Sequence, residues 1–173
     1  MKNIIAGGVF ILSLSLVLVP HRAQAVELGL TPSNVFDLWT NINNALIGTG
    51  QAKDAALLER LRAINPQSFK GKKPGDVLKQ VEAFRDKLDS LGTGYGLKPT
   101  PVFKDPAGGT VTPSVVFLNS GYVLDTMVLV LNKADGEHLI SDYYLRRNFN
   151  GKTPSDVYAM VELANRRIDA LVP

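Results

Sequence analysis

The sequence predicts an all-α domain, a helical bundle made of two tandem three-helix units of about 60 residues related by a pseudo-twofold. Three observations predict it. The segment 69–91 returns as 149–171 with identities at ten of 23 positions, among them Phe, Gly, Lys, Pro, Asp and Val in order. Thr31-Pro32-Ser33-Asn34-Val35-Phe36 returns as Thr112-Pro113-Ser114-Val115-Val116-Phe117 at nearly the same offset. Apolar residues then recur at the 3, 4 and 7 spacing of a helix with one buried stripe.

The first element is not part of the bundle. Lys2 precedes an apolar run from Ile4 to Val19, followed by Pro20 and by Ala23-Gln24-Ala25. A short basic start, an apolar run too short for a comfortable span and an Ala-x-Ala site make a secretory signal peptide over 1–25. An uncleaved anchor is the alternative, disfavoured by Pro20 and the small residues after it. Residues 26–173 then form a single helical domain, expected in the periplasm or secreted after cleavage near Ala25. No cysteine follows the apolar run, so a lipid anchor is excluded, and no later segment reads as long and apolar enough to span.

Unit one runs over 31–91. Thr31 before Pro32 reads as an N-cap followed by proline at the first helical position. Leu38, Ile42, Ala45 and Leu46 extend that helix to about residue 47. Ala55 to Ile64 form a shorter helix, ended by Asn65-Pro66. A third helix starts at Pro74 and buries Val77, Val81, Phe84, Leu88 and Leu91. The stretch 92–111, with five glycines and three prolines, reads as an irregular linker. Within it, 100–104 is the only stretch with a trace of strand-like alternation.

Unit two runs over 112–171. Its first helix, 113–132, is apolar on all sides, and a shorter helix is expected over about 136–147. Thr153-Pro154 opens the last helix, whose stripe is Val157, Met160, Val161, Ala164, Ile168 and Leu171. Asn34, Asp76 and Asp156 fall in first turns, where the two acids meet the positive end of the helix dipole. Trp39 aligns with Ser120 and reads as core.

Composition narrows the chemistry. With no cysteine, a disulfide framework, a thiol nucleophile and cysteine-held metals are excluded. The formal charge of +3 falls to near +1 once Lys2 and Arg22 leave with the signal peptide, so nothing argues for nucleic acid. Gly151-Lys152-Thr153 lacks the earlier glycine and the preceding strand of a phosphate loop. His138 is the only histidine after the signal peptide, and no metal-ligand spacing or nucleophile elbow surrounds it. No metal, no cofactor and no catalytic residue is therefore expected. Glu82 and Glu162 recur in equivalent places, as helix-surface acids would.

The candidate site is where the units differ. Copy one reads Ala63-Ile64-Asn65-Pro66-Gln67 and copy two Tyr143-Tyr144-Leu145-Arg146-Arg147. Tyrosine and arginine are enriched at interface hot spots. Tyr143, Tyr144, Arg146 and Arg147 are expected to line a binding surface, with Lys152 close by. Lys72 and Lys152 stand at helix starts, where free backbone donors favour anions. The expected function is an exported, non-catalytic module binding a protein partner or a small anionic ligand. The alternative is a helical hydrolase or lyase acting on cell-envelope material.

Overall fold

The computed structural model describes residues 26–106, 108–137 and 140–171; the expected signal peptide lies outside them. The elements are α1 (Pro32–Lys53), α2 (Ala55–Ala63), α3 (Pro74–Gly94), α4 (Pro113–Asp135), a 3-10 turn (Ile140–Asp142) and α5 (Pro154–Leu171). The described residues are all-helical, with no strand.

The four long helices begin alike. Each opens with proline at its first position, which fixes φ and gives up a backbone donor that would be orphaned anyway. Asn34 accepts from the Thr31 N–H at 2.9 Å, Asp76 from the Lys73 N–H at 2.9 Å and Asp156 from the Thr153 N–H at 2.7 Å. In α4 the cap is Thr112 itself, whose Oγ1 accepts from the Val115 N–H. Gly71 and Gly151, three residues before the first residues of their helices, have φ of 70° and 67°, a left-handed bend that a side chain disfavours.

All four start at one end of the molecule. Pro32, Pro74, Pro113 and Pro154, with the valine three residues after each, line a shallow apolar depression of about 10 Å³, barely a water's width. Contacts farther along keep this register. Trp39 Nε1 donates to Ser120 Oγ at 2.8 Å, seven residues into both α1 and α4. Lys87 of α3 reaches Asp169 of α5 at 2.8 Å near their far ends. The bundle is therefore parallel, with α1 and α3 each packed against both α4 and α5. Short connections would have given antiparallel neighbours; here the chain returns through 54–73, 95–112 and 136–153.

Diagonal helices meet on the axis. The Trp39 and Phe84 rings, fully buried, lie 5.2 Å apart at 89°, an edge-to-face pair. Trp39 fits because its α4 counterpart is the small Ser120, which also takes the indole proton. Ile42, Leu46, Val81, Leu88, Leu124 and Ile168 complete the core around them.

Four expectations need correction. A two-fold exchanging α1 with α4 and α3 with α5 would reverse helix direction, whereas all four run the same way. The short helix expected over about 136–147 is only a 3-10 turn among the described residues, and the chain from Tyr144 to Asn150 is irregular. α3 continues to Gly94, so the linker begins three residues later than its glycines imply. Finally, Pro113–Ala134 is by length and composition able to cross a membrane, with mean hydropathy 1.7; two-thirds of its apolar window is buried in the bundle. The stretch 100–104 pairs with no strand. Instead Asn119 brackets Phe103, accepting from its N–H at 3.1 Å and donating to its carbonyl at 3.2 Å.

Candidate functional site

The last return segment lies across α1, and the space between them is a cleft of about 690 Å³. One wall is the outward polar stripe of α1: Ser33, Asn34, Asp37 and Asn41. The other is 144–150, and Phe117 of α4 and Leu38 supply apolar floor. Two tethers hold the walls together. Asn41 Nδ2 donates to the Leu145 carbonyl at 3.0 Å, and the Arg147 N–H donates to Asp37 Oδ2 at 2.9 Å.

Arg147 is committed to this tether. Its Nη1 donates to Asn41 Oδ1 at 2.5 Å and stands 3.5 Å from Asp37 Oδ1, a buried oxygen that accepts no hydrogen bond. Arg146 is different. It is exposed, lines the cleft, and makes no hydrogen bond or ion pair among the described residues. Tyr144, 44% exposed, lines the same cleft, while Tyr143 is half-buried against the core. Tyr144, Arg146 and Arg147 thus line one cleft, whereas Tyr143 packs against the core.

The two lysines occupy other places. Lys152 Nζ sits 4.4 Å from the centroid of the Phe36 ring and 5.8 Å from that of Phe149. Lys72 repeats the arrangement, 4.3 Å from Tyr158 and 5.7 Å from Phe69. Each pair of rings is itself edge-to-face, at 4.9 and 4.8 Å. Phe36 and Tyr158 both stand four residues after their helix's proline, so the clamp is a repeated device. The backbone joins in: the Lys152 N–H donates to Ser33 Oγ and the Lys72 N–H to Ser155 Oγ, both at 3.1 Å. Lys152 borders a second cavity of about 330 Å³ with Phe69, Asp156 and Met160, apart from the main cleft. Lys72 lines neither.

Charge near the bend is settled locally. Hydrogen bonds from the Thr153 N–H, then from its hydroxyl, with a smaller contribution from Lys152, hold the Asp156 carboxyl below the ordinary carboxylate range. Arg167 is half-buried and pairs with no carboxylate among the described residues. It donates to Asn43 Oδ1 at 2.9 Å and to the Ile64 carbonyl, but its Nε is buried without a partner. Burial, then the neighbouring Arg166, lowers its pKa. Arg166 pairs with Glu162 at 2.6 Å and leaves no such deficit.

No group of acids and histidines among the described residues could hold a metal ion. The sequence reading missed the α1 half of the cleft. Its signal was available: Ser33, Asp37 and Asn41 recur every four residues on a helix whose other face is mainly apolar. No protein-family model, curated protein or solved structure matches this chain.

Proposed function

We propose that this chain is an exported, non-catalytic binding module that takes a small anionic ligand, or an acidic segment of a protein partner, in the cleft between α1 and 144–150. One observation carries the reading: Arg146, without a hydrogen-bond or ion-pair partner among the described residues, shares a 690 Å³ cleft with Tyr144 and with the amides of Asn34, Asn148 and Asn150. A cationic fork, directional amides and an aromatic wall are the groups that select an anion and orient it. The hydrolase or lyase alternative gains no support here, because the only carboxylate lining the cleft is Asp37, already engaged by Arg147.

Export with cleavage near Ala25, to the periplasm or beyond, belongs to the same proposal and rests on the sequence of 1–25. We also infer that the chain arose by internal duplication. The repeated bend, lysine clamp and serine contact before α3 and α5 support this. The copies would then be related by a turn about the bundle axis, since each helix of copy one neighbours its counterpart.

Titrating the mature protein with inorganic sulfate and with succinate, followed by NMR, tests the ligand reading. Shifts are expected at the residues lining the cleft, and Arg146→Ala should weaken binding about tenfold without moving the melting temperature. Lys72→Ala should bind like wild type. Unshifted cleft resonances, or unchanged affinity in Arg146→Ala, would refute it. For export, an intact mass from the native host that still includes Met1 would do the same.

A further inference from the structure

The bend before α5 carries a reactivity that its counterpart before α3 lacks. Both bends turn on a left-handed glycine, but Gly71 follows Lys70 whereas Gly151 follows Asn150. Asn150-Gly151 is the only Asn-Gly pair in the sequence.

An asparagine side chain can be attacked by the backbone nitrogen of the next residue, closing a five-membered ring. The attack needs a successor without a Cβ, a nitrogen not locked into a hydrogen bond, and a side-chain amide free to rotate. This bend meets all three requirements. Nothing lies within 4 Å of where a Cβ on Gly151 would stand. Among the described residues, neither the Gly151 N–H nor the Asn150 side chain makes a hydrogen bond, and Asn150 is exposed. Every other asparagine is followed by a residue that carries a Cβ, Asn44 by Ala45 and the exposed Asn148 by Phe149, and several are held as well. Asn41, Asn43, Asn119 and Asn165 are buried and hydrogen-bonded. Asn65 precedes Pro66, whose nitrogen carries no proton to lose.

We propose that Asn150 is a site of intramolecular deamidation, which writes a negative charge into the wall of the cleft. The Gly151 nitrogen bonds to Asn150 Cγ, the Cγ–Nδ2 bond breaks, and Nδ2 leaves as ammonia with the proton from Gly151. Water then opens the succinimide at either carbonyl, leaving aspartate or isoaspartate; no oxidant or reductant is involved. Two consequences follow from the position. A carboxylate at 150 shares the cleft with Arg146 and opposes anions there. The isoaspartate form also lengthens the main chain two residues before the Lys152 N–H, loosening its bond to Ser33 Oγ. The modification stands on the chemistry of the bend and does not depend on the ligand reading.

The mature protein and Asn150→Gln are aged at body temperature in mildly alkaline buffer made with heavy-oxygen water, folded and, in parallel, unfolded in urea. Peptide mass spectrometry should find the exchange of amide for heavy-oxygen carboxyl at Asn150 alone in the folded protein. It should appear as two chromatographic forms, at a rate within about tenfold of the unfolded chain. Asn150→Gln should stay unmodified at that position. A folded protein unchanged at Asn150 would overturn the proposal, whether or not the unfolded chain reacts. Earlier reaction at another asparagine would also overturn it.

Discussion

The chain returns from α1 to α3, and from α4 to α5, over similar distances and arrives at the same bend, yet the two journeys are held differently. The first return is anchored by apolar burial. α2 is capped by Asp54, whose side chain accepts from the Ala56 N–H, and drives Leu57 and Leu61 into the protein. The second has one short 3-10 turn and leaves Tyr144, Leu145 and Arg146 exposed. It is fastened mainly by polar tethers to Asp37 and Asn41 of α1. Where a return is anchored by leucines it forms scaffold; where it hangs on hydrogen bonds it leaves room beneath itself, and the cleft is that room.

The strongest way to break this contrast is at Leu61, which is fully buried. Leu61→Ala should cost about 2–5 kcal/mol in chemical denaturation, because a cavity replaces the packed side chain. A near-neutral result would show that the first return is no better anchored than the second. Next comes Arg147→Ala, which removes the ion pair and strands Asp37 beside the helix. A loss of about 1–3 kcal/mol is expected, with faster amide hydrogen exchange confined to 144–150. Arg146→Ala, one residue away, should leave stability within about 0.5 kcal/mol of wild type. Equal losses from the two would erase the distinction between tether and ligand contact.

The shared bends should respond alike. Lys72→Ala and Lys152→Ala each give up a cation on an aromatic face and should cost about 0.5–1 kcal/mol. Thermal melts of both variants check it, and unequal costs would mean the clamps have diverged. The smallest effect concerns pH. Asp156 titrates below its ordinary value of 3.8 in the folded protein, so its stabilisation is present above that value and is lost as pH falls through the lower folded one. Asp156→Ala should therefore melt below wild type at neutral pH, and the gap should close in acid.

These contrasts also mark what was legible in the sequence. Thr-Pro pairs, first-turn acids and apolar stripes are local signals, and each long helix begins at its proline as they indicate. Helix direction is not a local property. A return of about 20 residues can double back or run the full length, and no residue in it declares which, so a two-fold was expected where a parallel ring exists. The segment 136–147 misled because helix-compatible residues such as Leu145 and Arg146 lack what α2 has, a pair of leucines one turn apart to bury. The cleft was half visible: Tyr144, Arg146 and Arg147 stood out as a departure between the copies. Asp37 and Asn41 carry no mark in the sequence beyond the polar side of an amphipathic helix, because the segment that lies on them is more than 100 residues away in the chain.

The parallel arrangement has a consequence for how the molecule comes together. In an up-and-down bundle each helix packs against the one just made, and local contacts make folding fast. Here α1 finds no neighbour in α3, which lies diagonally across the axis, and must await α4 and then α5, at the far end of the chain. Large loops must close before those contacts reward them, so folding should be slow for an all-helical protein of this size. α5 touches both α1 and α3, so neither half of the chain holds a complete bundle. A chain delivered N-terminus first stays open until its last helix arrives.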